Sequence, residues 1–279
     1  MDKKYHFLTG FPRSGNTLLS AILNQNPEIY SSPLSPVGNF IWDFAKTCKT
    51  SKDVNRNTEN QIRSKLFLYS FIDNYYKEIK TPVVIDRSKS WCTPFNLNII
   101  KEYITPTPKI IFTVRDILEI IASFVKMDLD YIKYSAHSSE YLIDNYRSEK
   151  DLVCEYLMDH HGDIDRGLVS IASAFYPENK GMFHIVEYND IVLHPNETMS
   201  KIYNFLEMPD YKHNFNKIEK VEKDNDEAVG FPKDLHKIRK SLSKSSTDIN
   251  ILSDYIKHKY SNMEFWRKNS SMKVRGKDF

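Results

Sequence analysis

The chain has 279 residues, enough to bury a sizeable core without disulfide or metal staples. Its 39 Lys and Arg stand against 37 Asp and Glu, and the net charge of +2 gives no global field that recommends nucleic acid or an anionic membrane as partner. Three cysteines, Cys48, Cys92 and Cys154, form neither a disulfide framework nor a metal spacing, no apolar run is long enough to span a bilayer, and the N-terminus lacks the apolar region of a signal peptide. These features predict a cytoplasmic protein in a reducing compartment.

In chain order, an apolar run over 5–9 enters a loop bounded by Gly10 and Gly15. Thr17 opens an amphipathic run with Leu18, Leu19, Ile22 and Leu23 on one helical face. Strand, glycine-bounded loop and helix make a phosphate cradle, in which backbone N–H groups and a helix N-terminus face an anion. The spacing is that of a P-loop, but Asn16 stands where a P-loop has lysine, and the cation, Arg13, sits inside the loop. The site is expected to take a phosphate-like group other than a magnesium nucleoside triphosphate.

Ile62, Leu66, Tyr69, Asp73, Tyr76 and Ile79 fit one long helix. Further buried parallel strands are predicted at 83–85, 110–114 and 183–186, each separated from the next by helical pattern, which argues for an α/β layered fold. Asp86, Arg87, Ser88, Lys89 and Ser90 follow the second strand, so their charges emerge at the same sheet edge as the loop. Arg115 ends the third strand, where open α/β sheets bind ligands, and Ser123 falls two helical turns later. Asp116 and Glu119 make a capping box for the helix between them and Val125.

Residues 139–176 read as mainly helical with a break near His161-Gly162. The group His160-His161 with Asp159, Asp163 and Asp165 is not expected to bind metal, because adjacent histidines point apart on a helix. After the fourth strand, Tyr188 is placed to stack on or hydrogen-bond a nucleotide, and Pro195-Asn196 open another helix. Residues 212–247 are charged and poor in apolar side chains, and predict a mobile loop whose Arg239 and Lys240, with His236, Lys237 and Lys244, form a lid over an anion. A last helix is predicted around 249–256, and a basic, frayed tail from Arg267. The whole of 1–279 is expected to be one domain.

The loop Gly-Phe-Pro-Arg-Ser-Gly-Asn-Thr-Leu-Leu (10–19) resembles the phosphosulfate-binding loop of sulfotransferases, in particular the tyrosylprotein-sulfotransferase-like and bacterial branches. Arg115 with Ser123 resembles that family's second element, and Val-Glu-Tyr-Asn-Asp-Ile-Val-Leu-His-Pro (186–195) its later strand–helix segment. The elements fall in family order over roughly residues 5–208. The resemblance implies a P-loop-like three-layer α/β fold with a central, mainly parallel sheet flanked by helices. It also implies transfer of a sulfuryl group from 3′-phosphoadenosine 5′-phosphosulfate (PAPS) to a hydroxyl or amine of a small-molecule, glycan or peptide acceptor, without a metal.

On this resemblance Arg13 meets the 5′-phosphosulfate and its bridging oxygen, while Ser14, Gly15, Asn16, Thr17 and Leu18 cradle the 5′ side. Arg115 and Ser123 bind the 3′-phosphate, and Arg87 or Lys89 contacts the sulfuryl oxygens. Lys89 occupies the position at which the cytosolic branch carries its catalytic histidine. Tyrosylprotein relatives place a glutamate about twenty residues past the loop arginine, where this chain has Ser32-Pro33-Leu34-Ser35-Pro36. Heparan-type relatives place a glutamate somewhat later after the loop, and that resemblance makes Asp43 the candidate general base, with Asp86 and His236 in reserve, while Trp42, Phe44 and Trp91 are candidates for an acceptor pocket. Two other readings stand beside this one: a P-loop kinase or NTPase, and a non-catalytic nucleotide-binding protein on the same fold.

Overall fold

The computed structural model describes residues 3–127, 132–133, 136, 148–160, 162–222, 228, 237–243, 247–267, 273–274 and 277–278. The expected break at His161 and part of the helical stretch from 139, together with His236, Lys244 and most of the tail beyond Arg267, lie outside these residues.

Five strands, β1 (Lys4–Gly10), β2 (Ile29–Ser31), β3 (Val83–Arg87), β4 (Ile110–Val114) and β5 (Phe183–Glu187), form one sheet in the order β2-β3-β1-β4-β5. Every pairing in it is parallel. Four of these strands match the predicted apolar runs. β2 was not predicted: three residues are too few to show a period, and it pairs with β3 from Ile29 opposite Val83.

Both faces of the sheet are covered, and side-chain alternation sorts the core into two layers. Phe7, Val84, Ile110, Phe112 and Val114 face one layer, with α2 (Val37–Thr50), α3 (Thr58–Tyr75), α4 (Pro94–Ile99), α5 (Ile117–Met127), α6 (Glu149–Met158) and α7 (Asp163–Ala172). Leu8, Val83, Ile85 and Ile111 face the other, with α1 (Asn16–Leu23) and, after a short helix α8 (Tyr188–Leu193), α9 (Pro195–Leu206). The result is the three-layer α/β architecture expected from the sequence.

The helix predicted through Ile79 ends at Tyr75, and the next residue, Tyr76, turns its hydroxyl inward to donate to the buried Asp86 carboxylate. Only half of the expected capping box forms. The Glu119 amide donates to Asp116 Oδ1 at 3.2 Å, but the Glu119 carboxylate is drawn to Arg115. Of the stretch 212–247, the described segments 212–222 and 237–243 contain no helix. They are joined by backbone bonds from Ile218 N–H to Lys240 O (2.8 Å) and from Leu242 N–H to Phe215 O (3.0 Å). Ile238 and Leu242 pack against the second core layer, which seats this strap beside α1.

β1 lies between β3 and β4, so the chain reverses its direction of sheet-building around it. The crevice at such a point, outside the carboxyl ends of the strands, is where ligands of open α/β sheets bind. The turns after β1, β3, β4 and β5 all open there.

Candidate active site

The turn after β1 is forced by close backbone approach. A Cβ on Gly10 would lie 2.2 Å from Thr113 Oγ1 and 2.4 Å from Thr113 O, so only glycine lets β1 cross β4 here. Phe11 N–H then donates to Thr113 O at 3.1 Å. Ser14 is fully buried, and its hydroxyl lies 2.6 Å from both Phe11 O and Thr113 Oγ1, so it braces the loop from inside. Asn16 Nδ2 donates to Phe11 O at 2.9 Å. The residue at the P-loop lysine position is thus an internal clamp, and Ser14 and Asn16 can offer a ligand only their backbone amides.

α1 begins at Asn16, and its first bond runs from Leu19 N–H to Gly15 O. The amides of Asn16, Thr17 and Leu18 stay outside the helical ladder, at the end of the helix that favours anions. Gly15 (φ +91°) has the Tyr188 ring against it, 2.9 Å from where a Cβ would be. Arg13 itself has φ +62°, an uncommon conformation for a side-chain-bearing residue and a form of strain found at ligand-binding turns.

Arg13 Nε donates to Ser123 Oγ at 3.2 Å. With a lone pair of that oxygen occupied, the Ser123 O–H is left to donate. Arg115 is buried, 5 % exposed. Its Nε donates to Glu119 Oε2 at 2.7 Å, one terminal nitrogen donates to Arg13 O at 3.1 Å, and the other to Thr247 Oγ1 at 3.0 Å. The guanidinium carbon lies 4.5 Å from the centre of the Tyr188 ring. Burial, and then the neighbouring Arg115 charge, lower the pKa of Arg13.

These groups line a cleft of about 410 Å³. Gly15, Asn16, Thr17 and Leu18 border it, as do Arg87, Lys89, Tyr188 and Arg239, so most of the predicted site residues converge. Arg87 is tied to the turn after β2, its amide donating to Ser32 Oγ at 2.8 Å and its guanidinium to Pro33 O. Lys89 Nζ lies 3.5 Å from Asp163 Oδ2. Arg239 donates to Ser243 Oγ at 2.6 Å within the strap, whereas Lys240 is exposed and does not line the cleft.

The structure does not bring Asp43 or Asp86 there. Asp43 is exposed on α2, on the side away from the buried Gly38, Ile41 and Ala45. Asp86 is fully buried, accepts from Tyr76 and from Trp91 Nε1 (2.6 Å), and has its pKa raised by burial. Trp91 is likewise fully buried, while Trp42 packs on Phe95 and Phe44 on Phe67 (centroids 4.4 and 4.5 Å), so none of the three lines the cleft. Sequence reasoning missed Thr113, whose one signal is a polar side chain in the otherwise apolar 110–114 run. It also set aside Asp163 with the histidines beside it, and Asp163 lines the cleft.

A parallel sheet whose central turn opens onto a helix N-terminus, with cations converging from the ends of β3 and β4 and from the strap, defines a P-loop-like α/β fold with a site suited to an anion. A model described as the sulfotransferase family matches residues 6–212, and the chain belongs to that family. Sulfuryl transfer is the activity of the family, and the chain is an enzyme of that class. Solved structures share the fold, two of them over most of both chains. The sulfotransferase domain from the curacin biosynthetic pathway is 18 % identical, with a TM-score of 0.58 over 89 % of this chain and 90 % of that one. The sulfotransferase domain of the Synechococcus PCC 7002 olefin synthase is 16 % identical, with a TM-score of 0.54 over 90 % and 89 %. Among curated protein sequences nothing matches.

Proposed function

We propose that the protein transfers the sulfuryl group of PAPS to a hydroxyl or amine acceptor by in-line displacement, releasing adenosine 3′,5′-bisphosphate. The observation that carries this reading is the convergence of Arg13 and Arg115, whose cationic side chains line one cleft, with the Arg115 guanidinium donating to the Arg13 carbonyl. Such a pair is costly unless an anion completes it. A donor with a 5′-phosphosulfate and a separate 3′-phosphate supplies negative charge to each.

Arg13 and the amides of Asn16, Thr17 and Leu18 hold the 5′ side and the bridging oxygen, where charge accumulates as the sulfur–oxygen bond breaks. Donors aimed at developing charge contribute on the order of 10²–10³ in rate each. Arg115 and the Ser123 hydroxyl hold the 3′-phosphate, and Tyr188 fixes the Arg115 plane. Arg87 and Lys89 face the sulfuryl oxygens, and Arg239 closes over the donor from the strap. A sulfuryl group carries less charge than a phosphoryl group, and six cationic side chains already line the cleft, so no divalent metal is needed. Turnover should survive a chelator.

The chain acts as one catalytic domain, a reading supported by Ile256 and Phe265 packing into the same core layer as Phe7. Among the described residues no helix is long and apolar enough to cross a membrane. Three free thiols support a reducing, cytoplasmic setting.

Calorimetric titration with adenosine 3′,5′-bisphosphate tests the reading. The wild type should bind it, and Arg13→Ala should bind it more weakly and lose transfer of radiolabelled sulfate from PAPS. No heat with the wild type, or near-normal turnover by Arg13→Ala, would refute the assignment.

A further inference from the structure

Asp163 is the first residue of α7, and its side chain is 35 % exposed. The helix that carries it is pressed against the anion loop. Gly167, one turn later on the same face, has no room for a side chain, since a Cβ there would lie 2.4 Å from Phe11 Cδ1. Phe11 begins the turn that leads through Pro12 to Arg13. The face of α7 that touches the loop through Gly167 therefore carries Asp163 one turn earlier, at the cleft, where Lys89 Nζ approaches it to 3.5 Å.

Among the described residues lining the cleft, Asp163 is the single carboxylate, set against six cationic side chains. A lone negative charge in a pocket for a polyanionic donor opposes donor binding. That cost has a use if the carboxylate takes up a proton during the reaction: the repulsion then falls as the transition state is reached, and the transition state is favoured over the ground state.

We propose that Asp163 is the general base of the transfer and that Lys89 is its positioning residue. The proposal rests on the PAPS reading above. The acceptor O–H proton passes to the Asp163 carboxylate as the acceptor oxygen bonds to sulfur. The bond from sulfur to the 5′-phosphate oxygen breaks, and its electron pair stays on that oxygen beside Arg13. Lys89, beside Asp163 at the cleft, fixes the carboxylate.

The test measures release of labelled product from PAPS with 2-naphthol and with water as acceptors, alongside calorimetry with adenosine 3′,5′-bisphosphate. Asp163→Asn should lower kcat roughly 10²–10⁴-fold with bisphosphate affinity no weaker than that of the wild type. It should also remove the acid limb of the kcat–pH profile, and Asp163→Glu should restore part of the rate. Lys89→Met should lower kcat less and displace that limb. An Asp163→Asn enzyme with wild-type kcat and pH profile overturns the proposal, as does one whose affinity and turnover fall in parallel. A wild type that binds the bisphosphate but turns over PAPS with neither acceptor also overturns it. A wild type that does not bind the bisphosphate refutes the donor reading itself.

Discussion

Arg115 is held by its surroundings before any donor arrives. Glu119, the Arg13 carbonyl, Thr247 and the Tyr188 ring fix its plane, so little side-chain entropy remains to be lost when a phosphate binds. Removing the guanidinium deletes charge-assisted bonds worth about 1.5–3 kcal/mol, or roughly 10- to 100-fold in affinity. We expect Arg115→Ala to weaken adenosine 3′,5′-bisphosphate by that factor while leaving adenosine 5′-phosphate, which lacks the 3′ group, nearly unchanged. Calorimetry with both ligands checks it, and an equal loss for the two would remove Arg115 from the 3′ site. The identity of Arg13, Arg115 and Ser123 as a group was legible because each follows a strand or lies two helical turns beyond one. Which way a hydroxyl or amide turns was not. Ser14 and Asn16 look like ligand contacts in the sequence, yet their side chains are spent on Phe11 O and Thr113, a matter of backbone approach that Gly10 permits and no residue pattern records.

At the level of elements, β3 and its turn depend on a buried carboxylate. Asp86 emerges from β3 as the sequence order requires, but alternation sends its side chain into the first core layer rather than toward the cleft. There it accepts from Tyr76, the residue that ends α3, and from Trp91, whose ring packs edge-on to Phe7 at 4.8 Å. One carboxylate thus joins a helix end, the central strand and the 87–91 turn. Desolvation raises its pKa, and the donated hydrogen bonds oppose that rise. Asp86→Ala strands both donors in the interior and should cost about 3 kcal/mol or more, with Arg87 and Lys89 losing their placement. Chemical denaturation gives the stability. A loss of less than about 1 kcal/mol would show that the network is not what holds the turn. The sequence showed the charge at a strand end but not its direction, and a period read from five residues cannot separate a cleft-facing aspartate from a core-facing one. β2 escaped for a related reason: Ile29-Tyr30-Ser31 becomes a strand only because β3 offers an edge.

For the whole molecule, the two layers that flank the sheet also set its tolerance of acid. His6 lies on β1 and is buried, and burial, with help from Lys109 and Lys4, lowers its pKa to about 4. His213 is buried beside Tyr203, whose hydroxyl is 2.9 Å from Nε2, and burial lowers it to about 4 as well. Both imidazoles stay neutral in the folded protein while the unfolded chain protonates them near the ordinary value of 6.5. Above that pH neither contributes a slope. Between 6.5 and about 4 the unfolded state binds more protons, so stability falls with falling pH, approaching about 1.4 kcal/mol per unit for each histidine. Among the described residues neither ring nitrogen of His6 has a hydrogen-bond partner, so replacing the ring with an apolar one of similar size removes a polar burial cost instead of a contact. His6→Phe should therefore match or exceed wild-type stability at neutral pH and show a shallower acid-side slope, as read by urea unfolding at a series of pH values. A slope equal to that of the wild type would mean that His6 already takes up its proton in the folded state, and would place the acid sensitivity elsewhere in the molecule.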